Sequence, residues 1–324
     1  MRDLKTKIKK FNFLKSKIKK NILIIGSGRW SKITVSEISK NFKYVKIFVF
    51  TRKKAQFLTW SKQKKIEIIL ISRLEEIKNY NITHAIVINK NRDHFNYAKK
   101  LLKMKVNTLV EKPIVENLSH FNKLYNISKK NRVNLLVSLP YFHAMYFHYY
   151  KKFFIKEKIT SINFFWTDAL AEIKYGYKKK HQKINYLIDV IYHIHSIVSV
   201  FIKKANISYN KNFLKVKNNF YKVQYNKIPT EIFCKRNEKK RSRILSFSLS
   251  SGKKVKIDFT NNNLSKVLVQ GRKPIKCPQV FQNLTLAHQI FHFLNINKYE
   301  QMIFNDVRYL KNFLFTKFQI QKNL

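Results

Sequence analysis

From Asn21 to Ser138 short apolar runs alternate with helix-length segments, and this alternation limits the possible folds more than any other feature of the chain. The runs Asn21–Ile25, Val45–Phe50, Ile66–Ile71, Ala85–Ile88, Thr108–Val110 and Asn134–Ser138 read as strands. The segments Trp30–Asn41, His94–Lys103 and Leu118–Asn131 read as helices. Strands that are mostly apolar are buried on both faces, which is the condition of a parallel sheet covered by helices on each side. The expected fold class is therefore α/β, beginning with a doubly wound parallel sheet.

After Pro140 the texture changes. An aromatic helix over Ala144–Phe154, an extended run Thr160–Trp166 and a long helix Ile184–Ile202 come first. The runs Phe220–Tyr225, Ile244–Ser250, Lys254–Phe259 and Val267–Gln270 then follow without intervening helices, and Ser251-Gly252-Lys253 reads as a hairpin turn between two of them. Strands in series favour an antiparallel sheet. Helices near Leu284–Asn295 and Asp306–Phe318 close the chain. The expected organisation is a basic lead over 1–20, a doubly wound domain over 21–138, and a second α/β domain over 139–324 with a mainly antiparallel open sheet.

Composition narrows the function classes. The 324 residues suffice for two domains, and 45% hydrophobic content excludes wholesale disorder. The net charge of +50 would by itself suggest nucleic acid. Yet the 56 Lys and 11 Arg are scattered along the whole chain, and Lys, Asn, Ile, Phe and Tyr are abundant while Gly, Pro and Ala are scarce, as AT-rich codons dictate. The charge predicts generic, salt-sensitive attraction to polyanions rather than a specific nucleic-acid partner. In the Lys-rich lead, Leu4, Ile8, Phe11 and Ile18 fall on one helical face, expected to pack on the domain or, alternatively, to lie on a membrane surface. The lead has no apolar core of a secretory signal, and the near-apolar stretch Tyr186–Ile202 falls short of a bilayer span. Cys234 and Cys277 are too few for a disulfide framework or a cysteine zinc site. A reducing compartment, the cytoplasm, is the expected location.

Four motifs carry chemistry. Gly26-Ser27-Gly28-Arg29-Trp30-Ser31 lies in the first strand–helix turn and holds two of only five glycines. Such a turn lets backbone approach a pyrophosphate, and the helix N-terminus offers N–H donors to it; the alternative is a plain strand–helix turn. At the end of the second strand, Thr51-Arg52 stands where the adenosine ribose of a dinucleotide is read, and Arg there favours the 2′-phosphate of NADP over NAD. Glu111-Lys112-Pro113 ends the fifth strand, where ligands of open α/β sheets bind. Asp189 and His193 stand four apart on the long helix and share a face, so the carboxylate can orient the imidazole; the alternative is a core histidine. His195 points away from His193, and no metal site is expected.

Together these motifs resemble the Gfo/Idh/MocA oxidoreductases, the glucose–fructose oxidoreductase and inositol dehydrogenase family, over nearly the whole chain. Ala85–His94 resembles the family's fourth-strand segment ending in Thr-Pro-Asn-x-x-His, and Leu284–Phe293 its late Phe-rich helix. Departures are Ser31 for a small third glycine, Asn89-Lys90 for Thr-Pro, Ile191 for Gly and Ser196 for Asp. The resemblance implies a Rossmann domain that binds NADP, or less favourably NAD, through Gly26, Gly28, Arg29, Trp30, Thr51, Arg52, Asn89, His94, Glu111 and Lys112. It implies catalysis by Lys112, His193 and Asp189 on the secondary alcohol or ketone of a sugar, cyclitol or sugar nucleotide. Trp30 in Gly-x-Gly-x-Trp resembles members acting on sugar nucleotides. A homo-oligomer packed through the open sheet is expected on the same ground. A non-catalytic dinucleotide-binding or scaffold protein on the same fold is the alternative.

Overall fold

The computed structural model describes residues 18–153, 156–171, 185–202, 204–209, 219–261, 266–271, 273–278, 285–296 and 307–323. The amphipathic lead over residues 1–17 lies outside them, as do Phe154, Ile184, Leu284 and Asp306 at the edges of expected helices. The chain divides into two compact units: Met1–Leu139 with Leu286–Leu310, and Pro140–Thr285 with Lys311–Leu324.

In the first unit the strands are β1 (Lys20–Ile25), β2 (Val45–Phe50), β3 (Ile69–Leu70), β4 (His84–Val87), β5 (Asn107–Glu111) and β6 (Leu135–Ser138). The helices between them are α1 (Arg29–Asn41), α2 (Lys54–Gln63), α3 (Asn91–Lys103) and α4 (Leu118–Lys130). The six strands form one parallel sheet in the order β3-β2-β1-β4-β5-β6. Ile22, Leu23 and Ile24 of β1 and Ala85 and Val87 of β4 are fully buried, as strands covered on both faces must be. The chain order reverses between β1 and β4, and that switch point is where a crevice opens at the strand C-termini. Two details differ from the sequence reading. Helix α2 was not expected, because Lys54–Gln63 buries only Phe57 and Ser61 and so shows no broad apolar stripe. Strand β3 has two residues rather than six: the Ile66 N–H is taken by the Ser61 carbonyl at the end of α2, and only Ile69 and Leu70 pair with β2.

From residue 286 onward, helix α7 (Thr285–Leu294) belongs to this first unit. Phe293 meets His84 of β4 edge-on at 5.1 Å, and Ser138 at the end of β6 donates to Gln289 at 3.4 Å.

The second unit holds β7 (Ile159–Ala169), β8 (Ile207–Ser208), β9 (Phe220–Tyr225), β10 (Ile228–Glu238), β11 (Ser242–Leu249), β12 (Lys254–Asp258), β13 (Lys266–Val269) and β14 (Ile275–Lys276). Its helices are α5 (Met145–Lys151), α6 (Tyr186–Phe201) and the part of α8 (Val307–Asn323) from Lys311 on. The sheet runs β14-β13-β12-β11-β7-β10-β9-β8 and is antiparallel except where β7 meets β10. The hairpin at Ser251-Gly252-Lys253 is present, with Gly252 at φ +81°, where glycine carries no steric penalty. Strand β10 was missed in the sequence because Pro229 is its second residue and four charged residues lie along it. Alternation still runs through it, with Thr230, Ile232 and Cys234 buried.

Candidate functional site

In the first unit every expected dinucleotide contact except His94 lies at or just after a strand C-terminus or in the first turn of α1. Gly26 follows β1, and its N–H donates to the Phe50 carbonyl at 3.1 Å. Its φ is +137°, and a Cβ there would meet the Ile88 carbonyl oxygen at 2.6 Å and Ser31 Oγ at 2.7 Å. Gly26 is thus required by the fold, which brings β1, β4 and α1 together at this point. Ser31 Oγ in turn donates to Ile88 O at 3.3 Å, so a serine fills the place of the third glycine with a bond of its own.

Gly28 obeys a different constraint. It is the N-cap of α1 with ordinary extended backbone, φ −74° and ψ −177°. A Cβ on Gly28 would meet nothing within 4 Å. Among the described residues nothing demands glycine here, and the space beside it is open. No side chain caps the helix and its first turn carries no acid, leaving N–H donors for an anion. Arg29 and Trp30 follow on the exposed first turn, Trp30 half exposed with the Arg29 guanidinium 6.0 Å from its ring centre.

The remaining residues flank the same crevice. Thr51 is buried and its hydroxyl accepts from the Lys53 N–H at 3.1 Å, turning the chain after β2 and leaving Arg52 exposed. Asn89 follows β4, and its side-chain Oδ1 is buried without a hydrogen-bond partner among the described residues. A buried acceptor left unsatisfied at a switch point fits a ligand donor. These observations suit a dinucleotide: a clear approach at Gly28, an uncapped helix start, an orphaned acceptor and an exposed arginine. Glu111 ends β5 and Lys112 follows it, both half-buried. His94 is fully buried, and its two ring nitrogens contact the Pro113 carbonyl at 2.9 Å and the Asn89 carbonyl at 3.2 Å. Burial holds it below the ordinary histidine pKa, against the pull of both carbonyls. Its imidazole ties the loops after β4 and β5 together and so shapes the crevice rather than lining it.

In the second unit, Asp189 and His193 lie on α6, whose start is fixed by Asn185 accepting from the Leu187 N–H at 2.9 Å. Asp189 forms an ion pair with Arg236 of β10 at 3.2 Å, and that guanidinium lies 4.6 Å from the Tyr186 ring centre. The sequence predicted that Asp189 orients the imidazole; the structure adds its pairing with Arg236, which anchors the first turn of α6 to the sheet. His193 is half-buried and stacks on Trp166 of β7. His195, one position beyond Ile194, faces the interior: it stacks on Phe313 at 3.9 Å, and burial pushes its pKa down to about 3. Among the described residues no cluster of His, Cys, Asp and Glu could hold a metal ion.

Sequence reasoning missed a buried ion pair between Asp168 of β7 and Arg243 of β11, whose side chains are only 7% and 4% exposed. The signal was present. In Ser242–Leu249 residues 245, 247 and 249 point inward, and Arg243 shares their phase. In β7, Asp168 shares the phase of Phe164 and Trp166. A charge on the inward phase of a strand needs a partner.

Residues 20–139 match the Gfo/Idh/MocA family model, described as an oxidoreductase family with an NAD-binding Rossmann fold. Among solved structures, UDP-N-acetylglucosamine 3-dehydrogenase from Acidithiobacillus ferrooxidans is similar at TM-score 0.72 and 12% identity, covering 95% of this chain and 98% of that one. A dehydrogenase from Clostridium difficile is similar at TM-score 0.70 and 16% identity, over 93% and 99%. A 3-ketoreductase from Actinomadura kijaniata, solved with NADP and TDP-benzene, is similar at TM-score 0.71 and 10% identity, over 93% and 96%. Comparison with curated proteins gave no match.

Proposed function

We propose that the chain, whose residues 20–139 match the NAD-binding Rossmann fold of the Gfo/Idh/MocA oxidoreductase family, interconverts a secondary alcohol and a ketone on a sugar nucleotide, or on a related sugar or cyclitol, with NADP preferred to NAD. The observation that carries this reading is Gly28, a glycine that neither its backbone nor its neighbours require. Arg52, exposed at the end of β2, supports NADP, because a planar, permanently charged donor suits a 2′-phosphate. The sugar-nucleotide class is supported by the dehydrogenase and the ketoreductase named above, which act on or were solved with nucleotide-linked compounds, and by Trp30 beside the glycines.

When bound, the nicotinamide donates or accepts the hydride at the reacting carbon. His193 moves the proton at the substrate oxygen, since imidazole titrates near neutral pH. The Lys112 ammonium binds that same oxygen and stabilises its developing negative charge. Asp189 with Arg236 keeps the face of α6 that carries His193 in place. A cytoplasmic location belongs to this reading, with both cysteines buried; among the described residues no helix is long and apolar enough to cross a membrane. So does a homo-oligomer built on the open sheet, where Phe220, Phe233 and Phe165 form an outward aromatic row, Phe165 and Phe233 stacked at 4.8 Å. The test is a panel of sugar nucleotides, sugars and polyols followed at the nicotinamide absorbance. Turnover of a sugar nucleotide supports the proposal; tight NADPH binding without turnover of any member favours the scaffold alternative.

A further inference from the structure

We propose that Trp166 is a positioning residue that holds the His193 imidazole in a single orientation. The inference rests on His193 as the proton-transfer group and names what fixes its ring. A histidine on a helix retains freedom about two side-chain torsions, and the second is broad. Here the imidazole lies within 3° of parallel to the Trp166 indole, with ring centres 5.6 Å apart. Tyr141, from the 3-10 turn Pro140–His143, meets the same imidazole edge-on at 5.4 Å and 86°. Tyr141 also stands against Trp166 at 6.0 Å and 85°. The imidazole therefore sits in a corner of two aromatic walls at right angles, one opposing tilt and the other opposing rotation in its own plane.

The corner is itself held. Trp166 and Arg243 are partners across the β7–β11 ladder, so their side chains share the inward face. The guanidinium lies 4.1 Å from the indole centre. Its ion pair with Asp168 is buried, and it donates to the carbonyls of Thr167 and, at 2.9 Å, Ser242. Phe259 closes on Trp166 at 5.9 Å. A buried ion pair adds little stability beyond what apolar side chains of equal volume give. What this one does is fix the plane of the ring on which His193 rests. Asp189, one turn before His193 on α6, is paired with Arg236, and the two walls of the corner are uncharged rings. The corner thus supplies orientation rather than net charge. Orientation matters because a displacement of about 1 Å at a reacting group costs roughly a hundredfold in rate.

The test uses the full-length protein with Trp166→Leu, which removes the flat wall, Trp166→Phe, which keeps a smaller one, and Tyr141→Leu at a half-buried position better able to bear the change. Kinetics on the substrate found in the panel should show kcat lowered about tenfold to a hundredfold in Trp166→Leu with KM nearly unchanged. Trp166→Phe should recover to within about threefold of wild type, on the scale of one aromatic contact. Crystal structures should show the His193 ring rotated away in Trp166→Leu and retained in Trp166→Phe. If Trp166→Leu does not fold, Tyr141→Leu decides: a lowered kcat with a displaced ring supports the proposal, and kcat and ring position indistinguishable from wild type would overturn it. So would a Trp166→Leu enzyme with wild-type kcat and an unmoved imidazole. Wild-type turnover in His193→Asn would instead overturn the underlying reading of His193, which separates the two failures; the ring position is read even when no panel member turns over.

Discussion

Gly26 and Gly28 stand two residues apart and answer to different constraints, which makes them separable by substitution. Gly26→Ala would place a Cβ at 2.6 Å from a carbonyl oxygen at φ +137°, and should lower stability by roughly 1–3 kcal/mol or more in denaturant unfolding. A Cβ at Gly28 meets nothing within 4 Å, so in Gly28→Val stability should stay within about 0.5 kcal/mol. NADPH affinity, measured by quenching of protein fluorescence, should nevertheless fall about tenfold or more, because the side chain occupies the approach to the pyrophosphate. A Gly28→Val protein that binds NADPH like wild type would remove the main support for the cofactor site. Arg52→Asp should weaken NADPH far more than NADH, since it places a carboxylate against the 2′-phosphate; equal loss for both, by the same titration, would return Arg52 to being a solvated turn residue.

At the scale of elements, the first unit was legible because parallel strands announce themselves as apolar runs. Helix α2 escaped notice because it buries too little to show a stripe. In the second unit β10 hid behind Pro229 and its charges, yet it carries Arg236, the partner of Asp189. Without β10 the role of Asp189 could be read only as a neighbour of His193 on α6, since helix periodicity shows which residues share a face and not what strand lies opposite. Lys112 and Gly28 could be located from sequence because their place depends on strand ends and turns. The inward phase of Arg243 and Asp168 was legible, but their meeting at Trp166 was not, because it depends on the register of two strands more than seventy residues apart. The outward aromatic row is the element-scale feature that predicts assembly. Phe165 and Phe220 remain 42% and 51% exposed, and light scattering should show an oligomer in wild type. Phe165→Asp with Phe233→Asp should shift it toward monomer without loss of NADPH binding; an unchanged mass would place any assembly surface elsewhere.

For the whole molecule, the excess of +50 is spread through both units, and buried histidines add a pH dependence of their own. Burial drops the pKa of His195 in the second unit and His84 in the first from 6.5 to about 3, with Lys20 adding to the effect at His84. The unfolded chain binds protons near pH 6.5 that the folded units refuse until about pH 3. Stability is therefore full above pH 6.5 and is lost as pH falls toward 3. Over two pH units below 6.5 each histidine accounts for about 3 kcal/mol. Urea unfolding of His195→Phe should be less acid-sensitive than wild type for the second unit; identical pH slopes would mean that His195 is not buried neutral.

The account turns on an oxidoreductase active site with Lys112 and His193 acting on one substrate oxygen. The most direct measurement compares wild type, Lys112→Met and His193→Asn for NADPH binding and for turnover of the sugar-nucleotide panel in the same preparations. The account predicts near-normal NADPH affinity in all three, turnover in wild type, and turnover lower by about a hundredfold or more in each variant, the scale of losing one transition-state donor. Wild-type rates in either variant, or NADPH binding with no turnover by wild type, would contradict it.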